Sequence, residues 1–568
     1  MSLYQPPTQD MQWIFSAVVR GPLALAQLQA FSEVDEDLMA QVLEESGKFV
    51  GDAIAPLNRQ GDEVGAQWKD GAVTMPPGFR DAYQAFWQAG WPALAADVED
   101  GGQGLPLAMA AMLYEMLSAA NHGWTMAPGL LHGAYECLKH HGSAELQQRY
   151  LSKIATGEWL ATMCLTEAHA GSDLGLARTK AEPQADGSYR VSGTKIFISG
   201  GEHDLSDNIV HLVLARLPDA PPGPKGLSLF LVPKFYADGS RSAAYCDRIE
   251  EKMGLHGSPT CVMRFDGATG WIVGEPGRGL NAMFVMMNAA RLHVALQGIG
   301  LLDAAWQKAD AYSQERRQMR APGRGKAASE ADLIAEHPAM RRILDTQRAW
   351  IDGGRVLAYR TAIEIDVARH HADAPRRDAA LRWCSFATPV IKAAFTQQAF
   401  QGGSECLQVF GGHGYVREWG IEQHVRDSRV AMIYEGTNEI QAIDLLVRKV
   451  LADGGVAFGA WLDALVAELD LSVPAHARVH SRVNALRSVT QRLCAASQQD
   501  AALAYWVADD FLRAVAVLLL DWAWAQIGLA APQQARWQQP LQAMERWVAP
   551  ELQMRLGIIT AALDTPQA

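Results

Sequence analysis

The sequence predicts a mostly helical α+β protein. Its order is an N-terminal helical domain, a middle antiparallel β-domain, a C-terminal four-helix bundle and an extra C-terminal helical segment. Apolar residues at helical spacing, such as Leu38, Val42 and Leu43, characterise residues 24–155. Short runs rich in Val, Ile, Leu and Phe follow, and helical spacing returns at Gly279. We place the domains at 1–156, 157–278, 279–451 and 460–568.

The middle domain is predicted from apolar runs that turn residues separate. These runs cover 160–167, 189–199, 208–217, 226–235 and 260–267. Because no helical pattern separates them, they favour an antiparallel sheet or barrel over a parallel β-α-β sheet.

The third domain begins with an apolar stripe that predicts one long helix. Leu280, Met287, Val294 and Leu301 repeat every seven residues, and Met283 and Phe284 lie between them. A polar loop is expected at 322–332 and a linker at 452–459. The remaining residues are rich in Ala, Leu and Trp, which predicts further helices.

Composition excludes several classes of protein. The 568 residues are 49% hydrophobic and 20% charged, which are globular values, and the net charge of −13 argues against nucleic-acid binding. The seven cysteines are scattered without a CxxC pair, which predicts reduced thiols and a cytoplasmic location. The longest apolar run, near 514–520, is shorter than the roughly 18–20 residues of a membrane span, so no transmembrane segment is expected.

Common cofactor and metal motifs are absent from the sequence. It contains no Gly-x-Gly-x-x-Gly after a strand, no complete P-loop and no His-Glu-x-x-His. Cysteine and histidine pairs at metal-ligand spacing are absent too, so no metal is expected.

Two glycine-containing segments could bind a ligand. MCLTEAHAGSD at 163–173 is a strand that enters a turn of small residues, where a ligand could reach backbone N–H groups. An ordinary strand-to-turn junction also explains it. In 408–418 a helix ends at Gly411 and Gly412, and a simple helix C-cap explains this segment equally well.

A third segment, 429–450, offers a candidate general base. Thr437 is a good N-cap, so a helix should begin at Asn438 and leave Glu435 in the preceding loop. Glu435 lies between the apolar run Met432–Tyr434 and Gly436, and apolar surroundings raise a carboxyl pKa towards the range of a general base. A carboxylate that stabilises the helix N-terminus is the open alternative.

These three segments, in this order, resemble the flavin-dependent acyl-CoA dehydrogenases, as do TKIFISGG at 194–201 and the strand at 251–265. The resemblance covers about 150–450 closely. It implies oxidation of an acyl-CoA thioester to the trans-2-enoyl-CoA, with Glu435 abstracting the α-proton and the flavin N5 of FAD accepting the β-hydride. It also implies an electron-transfer flavoprotein as the electron acceptor.

The resemblance assigns site residues position by position. Those for FAD are Met163, Leu165, Thr166, Gly171, Ser172, Phe197, Ile198, Ser199, Arg316, His337, Gln408, Gly411, Gly412, Thr437 and Asn438. Those for the substrate are Ser172, Asn288, Arg291, Tyr434 and Gly436. In the family some of these residues bind the flavin of the neighbouring subunit, so at least a homodimer is implied, and a tetramer stays open.

The sequence departs from the family pattern at informative positions. Some members place the base just before the arginine that corresponds to Arg291, but here that position is Ala290, which leaves Glu435 as the base. The chain ends resemble a longer branch that includes the 3-methylmercaptopropionyl-CoA dehydrogenases. The substrate is therefore expected to be a short- to medium-chain acyl-CoA, with a thioether acyl group as one option. An oxidase that uses oxygen and a helical scaffold without catalysis remain alternatives.

Overall fold

The computed structural model describes residues 3–323, 331–531 and 534–565, so most of the predicted loop at 322–332 lies outside the described residues. The chain forms two compact units. One is Glu45–His293, and the other combines Met1–Glu44 with Val294–Ala568. The N-terminal extension therefore groups with the C-terminal helices and not with the helices that directly follow it.

The elements confirm the predicted helix–sheet–helix order. The helices are α1 (Thr8–Trp13), α2 (Gly21–Leu25), α3 (Glu36–Phe49), α4 (Asn58–Val64), α5 (Phe79–Gln88), α6 (Leu107–Thr125), α7 (Leu131–His141), α8 (Ala144–Leu146), α9 (Ser152–Ala155), α10 (Gly279–Ser313), α11 (Pro338–His370), α12 (Ala374–Val409), α13 (Ile421–Ser428), α14 (Asn438–Ile443), α15 (Val456–Ala467), α16 (Pro474–Ser497), α17 (Ala501–Ala530), α18 (Ala535–Ala543) and α19 (Pro550–Asp564). The strands are β1 (Gln67–Lys69), β2 (Ala72–Thr74), β3 (Leu160–Cys164), β4 (Lys180–Pro183), β5 (Tyr189–Ser199), β6 (Ile209–Arg216), β7 (Leu227–Pro233), β8 (Ala244–Ile249) and β9 (Thr260–Val273).

A short hairpin interrupts the region that the sequence predicted to be helical. Strands β1 and β2 pair antiparallel around Asp70 and Gly71, which both have positive φ, at 51° and 85°. An Asp-Gly pair favours this kind of tight hairpin turn. The sequence therefore carried a local signal for the hairpin that the helical reading of 24–155 missed.

The middle sheet closes on itself. One edge of β6 pairs with β3 and β4, and its other edge pairs with β7. The ring is completed by pairing of β4 with β5, of β5 with β9 and of β9 with β7. β8 adds to β9. The prediction of an antiparallel sheet or barrel is confirmed for most strand pairs, but β3 and β4 run parallel to β6. A parallel pair needs a long connection, and here the β3–β6 connection contains β4 and β5.

Helix α6 forms the centre of the helical part of the Glu45–His293 unit. Every residue from Ala108 to Thr125 is buried, as expected of a helix that other elements surround on all sides. The helix is interrupted at Asn121, whose φ of −159° and ψ of 88° are not helical.

Helices α10, α11, α12 and α14, with a π-helical continuation at Asp444–Val450, form the predicted bundle. α10 begins at Gly279 as predicted, but Phe284 on its stripe is 45% exposed. The extra C-terminal segment packs against the bundle, because Trp524 in α17 donates from Nε1 to the Ala349 carbonyl at 2.8 Å.

The N-terminal extension and the C-terminal segment meet in the same unit. The Asp10 carboxylate accepts hydrogen bonds from Arg348 at 2.6 Å and Arg536 at 2.7 Å, and Trp13 stacks on Trp537 with ring centroids 4.4 Å apart. These contacts join α1 to α11 of the bundle and to α18 of the C-terminal segment.

One helix among the described residues is long and apolar enough to cross a membrane, namely α10. Three-quarters of its most apolar window is buried inside the fold, a property that core helices share.

Candidate active site

The first group of predicted residues lies where β3 leaves the sheet. Met163, Leu165 and Thr166 are half-buried, whereas Gly171 and Ser172 are exposed on the following turn. The Thr166 carbonyl accepts a hydrogen bond from the N–H of Ile196 at 2.9 Å, which ties this turn to β5. Two of the motifs that the sequence singled out are therefore neighbours in space.

A buried ion pair lies beneath this turn. The Lys195 ammonium is fully buried and donates to the Glu167 carboxylate at 2.8 Å and to the Leu165 carbonyl at 2.9 Å. Glu167 also accepts from the Arg178 N–H and from the N–H and hydroxyl of Thr179. Burial raises the pKa of Glu167, but Lys195 and these donors outweigh burial and lower the pKa to about 2. The sequence analysis missed both Glu167 and Lys195, although both lie inside its motifs.

Phe197 projects from an irregularity in β5. The β5–β9 register shifts between Lys195 and Ile198, and Phe197 at the shift has φ of 59° and is 59% exposed. A left-handed conformation is uncommon for an aromatic residue and is typical of positions that function constrains. Ile198, in contrast, is 1% exposed, so its side chain belongs to the core of this unit and only its backbone could contact a flavin. Ser199 is half-buried.

The candidate base lies on a loop with unusual backbone geometry in the other unit. Glu435 has φ of 55° and Gly436 has φ of 81°, so two consecutive residues are left-handed. The Gln441 side-chain amide donates to the carbonyls of both residues at 3.2 Å. The left-handed φ at 436 favours glycine, and a Cβ there would lie 2.6 Å from the Gln441 Nε2, so the Gln441 side chain would have to move.

A buried lysine holds the same loop from the bundle side. Lys392 of α12 is fully buried and donates to the Gly436 carbonyl at 2.8 Å and to the Asn438 Oδ1 at 3.1 Å. Asn438 in turn donates to the Ala393 carbonyl and accepts from Thr396. The Asn438 side chain is therefore engaged inside the bundle, which leaves its backbone for any contact with a flavin.

The sequence predicted that apolar residues enclose Glu435, but the structure shows a partly polar and partly exposed setting. The Tyr434 hydroxyl donates to the Gln297 side chain at 2.5 Å, and burial together with the Glu435 charge raises the pKa of Tyr434. Glu435 itself is half-buried, and Ile433 is 52% exposed. The Glu435 side chain is thus reachable from the surface of this unit.

The predicted helix start is confirmed. Thr437 caps α14, because its hydroxyl accepts from the Ile440 N–H at 3.3 Å, and the helix begins at Asn438. The Thr437 hydroxyl also lowers the pKa of Glu439. Glu435 therefore lies outside the helix, and Glu439 is the carboxylate in its first turn.

We expect Gly436→Ala to destabilise the protein by about 1–3 kcal/mol, the usual cost of a side chain in a strained backbone conformation. It should also lower activity, because Gln441 must move away from the loop that carries Glu435. Chemical denaturation measures the stability change. Gly557→Ala is a suitable control, since its Cβ would meet nothing within 4 Å on the exposed side of α19. Equal stability of the two variants would contradict this account of the loop.

The remaining predicted residues lie at loop and helix ends. Gln408, Gly411 and Gly412 are exposed where α12 ends. Arg316 is exposed after α10, its carbonyl accepts from the Ile334 N–H at 2.8 Å, and His337 directly precedes α11.

The predicted substrate residues on α10 fall in the Glu45–His293 unit. Arg291 is half-buried on this helix. The Asn288 side chain lies outside the described residues. The assignment of both residues to the substrate stays a prediction.

Lys392 and Gln441 could not be identified from sequence. Each acts on a backbone carbonyl of the loop, and Lys392 does so across 44 positions of the chain. A lysine in a helix usually faces water, so nothing local marked it as buried. A signal was present for Lys195, which lies at an inward position of an apolar strand.

Comparison with known proteins identifies the family. Profiles for the N-terminal, middle and C-terminal domains of acyl-CoA dehydrogenases match residues 40–158, 162–268 and 277–450. The chain is 42% identical to the 3-methylmercaptopropionyl-CoA dehydrogenase of Ruegeria pomeroyi, over 93% of this chain and 91% of the relative. It is 35% identical to the broad-specificity linear acyl-CoA dehydrogenase FadE5 of Mycobacterium tuberculosis, over 92% and 89%.

A solved structure agrees on the fold. The acyl-CoA dehydrogenase of Bacillus anthracis, determined in complex with FAD, matches with a TM-score of 0.75 at 20% identity, over 97% of this chain and 92% of the other. The three profiles follow one another over residues 40–450, and the two relatives span nearly all of the chain. This protein therefore belongs to the acyl-CoA dehydrogenase family.

Proposed function

We propose that this protein uses FAD to oxidise an acyl-CoA thioester to the trans-2-enoyl-CoA and that Glu435 is the base. The observation that carries the assignment is the loop of Glu435. A carboxylate is held there, half-buried, in a left-handed conformation that Gly436, Gln441 and Lys392 maintain. Such strain is typical of sites where a side chain must keep one orientation.

The chemistry that Glu435 would perform is removal of the proton α to the thioester. The α-proton is the acidic one, because negative charge develops on the thioester oxygen as it leaves. A carboxylate on a loop whose backbone is already held in place meets that proton without first losing loop freedom. Ala290, at the alternative position for a base, has no group that could accept a proton.

The residues present fit a flavin. Phe197 presents an exposed aromatic ring, and Gly171, Gly411 and Gly412 have open space where a Cβ would stand, so a ligand can approach their backbone closely. FAD, when bound, supplies the hydride acceptor. The other proposed FAD contacts are Met163, Leu165, Thr166, Ser172, Ser199, Arg316, His337, Gln408 and Thr437, and the backbone of Ile198 and Asn438.

The relatives' names narrow the substrate to two types. The Ruegeria relative is named for a thioether acyl-CoA and the Mycobacterium relative for linear acyl-CoAs. We propose a short- to medium-chain acyl-CoA that includes 3-methylmercaptopropionyl-CoA, because the Ruegeria relative is the more similar of the two over nearly the same share of the chain. Ser172, Arg291, Tyr434 and Gly436 would contact it.

We also propose an electron acceptor, a homodimeric assembly and a cytoplasmic location for this protein. An electron-transfer flavoprotein would reoxidise the flavin, and a homodimer would supply the exposed Gln408 and Gly411 to a second subunit. All seven cysteines are unpaired, which agrees with a cytoplasmic location.

The test is reduction of the bound flavin by substrate. Purified protein should be yellow, and anaerobic addition of butanoyl-CoA or 3-methylmercaptopropionyl-CoA should bleach its visible absorbance. Reoxidation by an electron-transfer flavoprotein supports the dehydrogenase, whereas hydrogen peroxide formed in air without an acceptor identifies an oxidase. A colourless protein that binds no acyl-CoA would contradict the proposal and favour a scaffold.

A further inference from the structure

The main chain of the loop that carries Glu435 is held by a side chain of the helix that follows it. Gln441 is fully buried in α14, and its Nε2 donates to the carbonyl oxygens of Glu435 and Gly436 at 3.2 Å each. A primary amide has two N–H donors, so it can serve both carbonyls at once. Lys392 also donates to the Gly436 carbonyl, but Gln441 contacts the main chain of the candidate base itself.

The orientation of the Gln441 amide leaves its oxygen without a hydrogen bond. Within the described residues, the buried Gln441 Oε1 has no hydrogen-bond partner. The opposite orientation would place this oxygen against two carbonyl oxygens, and all three are acceptors. The nitrogen must therefore face the loop. A buried polar atom without a partner is rare in folded proteins and needs an explanation, and a role in holding the loop supplies one.

Other contacts keep the loop attached on both sides of Glu435. The Tyr434 hydroxyl donates to the Gln297 side chain of α10 at 2.5 Å, and Thr437 caps α14. These residues and Gln441 lie within Val294–Ala568, in one compact unit. Loss of the Gln441 amide should therefore change the left-handed backbone at 435 and 436 and leave the surrounding loop in place.

We propose that Gln441 is a positioning residue, which holds the Glu435 carboxylate in the direction from which it removes the α-proton. This inference rests on the proposed function, which makes Glu435 the base. A small rotation of the main chain at 435 moves the carboxylate at the far end of the side chain by a larger distance. A displacement of about 1 Å from the reactive geometry can lower the rate about 100-fold. Gln441 therefore acts on the rate of proton removal and not on the binding of flavin or substrate.

Anaerobic reduction of the bound flavin by butanoyl-CoA tests the proposal. At saturating substrate, Gln441→Met should lower the rate constant of flavin reduction about 10- to 100-fold, because methionine has nearly the volume of glutamine but no N–H donor. The flavin-to-protein ratio and the substrate concentration that gives half the maximal rate should not change. A merely structural loss would instead lower the amount of flavin that is reduced and leave the rate constant of the remaining active protein unaltered.

Gln441→Glu provides a second measurement, which depends on the hydrogen-bond donor and not on side-chain volume. Its carboxyl group has the shape of the amide, and it donates to one carbonyl when protonated but to neither when ionised. The rate constant of Gln441→Glu divided by that of Gln441→Met should therefore rise as the pH falls. This ratio cancels the effect of pH on Glu435, which both variants retain.

Gln398→Met is the matched control. Gln398 is a buried glutamine of α12 that donates to Gln347 at 2.8 Å and accepts from Arg513 at 3.2 Å, so its loss should leave the rate constant unchanged. An unchanged rate constant in Gln441→Met, or a ratio of the two Gln441 variants that does not vary with pH, would overturn the inference. Flavin in the unaltered protein that acyl-CoA does not reduce, or unchanged reduction in Glu435→Gln, would instead count against the proposed function.

Discussion

Replacing Glu435 with glutamine should lower turnover at least about 100-fold, the lower range for a lost general base. The amide has nearly the shape of the carboxylate but cannot accept the α-proton. Gln441 and Lys392 donate hydrogen bonds to main-chain carbonyls of the loop, and the conformation at 435 is also a property of the main chain. The substitution therefore leaves these contacts and this conformation intact. Turnover at saturating acyl-CoA with an artificial electron acceptor gives the effect, and the flavin-to-protein ratio should not change.

Glu439→Gln provides the control for this prediction. Glu439 lies four residues further on, is exposed and has its pKa lowered by the Thr437 hydroxyl. It is the carboxylate at the helix N-terminus, the role that Glu435 would have had under the alternative interpretation. Turnover of the Glu439 variant should stay near that of the unaltered protein. Near-normal turnover of Glu435→Gln, or an equal loss in both variants, would remove Glu435 from the role of base.

Lys195→Met should cost about 3–5 kcal/mol of folding stability, the range for a buried ion pair that loses one partner. The Glu167 carboxylate would remain buried without its cation, and the Leu165 carbonyl would lose its donor. Because this pair lies beneath the 163–173 turn and next to Phe197 in β5, flavin content should fall as well. Chemical denaturation and the flavin-to-protein ratio measure the two effects.

Two further variants test whether the loss of stability comes from breaking the ion pair or from removing any lysine. Lys180→Met, on the exposed side of β4, should change stability little. Adding Glu167→Gln to Lys195→Met should recover part of the loss, since no buried charge then remains. A loss for Lys195→Met no larger than for Lys180→Met would contradict the assignment.

The same pair predicts how stability depends on pH. The pKa of Glu167 in the folded protein, about 2, lies below its ordinary value of 4.5. Its contribution to stability is therefore complete above pH 4.5 and is lost as the pH falls towards 2. In the Glu167→Gln variant the stability should decline less steeply over this interval.

Several features of the fold could be predicted from the sequence because they depend on residues that are close together along the chain. Thr437 predicted the start of α14 because an N-cap acts on N–H groups within the next few residues. The return of helical spacing placed the start of α10 at Gly279. The Asp70–Gly71 hairpin was equally local, and it was missed because a helical pattern surrounds it.

The sequence by itself determined the order of helical and sheet regions, the helix cap beside Glu435 and the motifs that mark the candidate site, because these depend on residues close together along the chain. Only the tertiary structure decided that Phe197 is turned outward while Ile198 is buried, that Lys195 pairs with Glu167, and that Lys392 donates a hydrogen bond to the Gly436 carbonyl. Each depends on partners from separate elements or on strand register, and side-chain spacing along one element does not encode them.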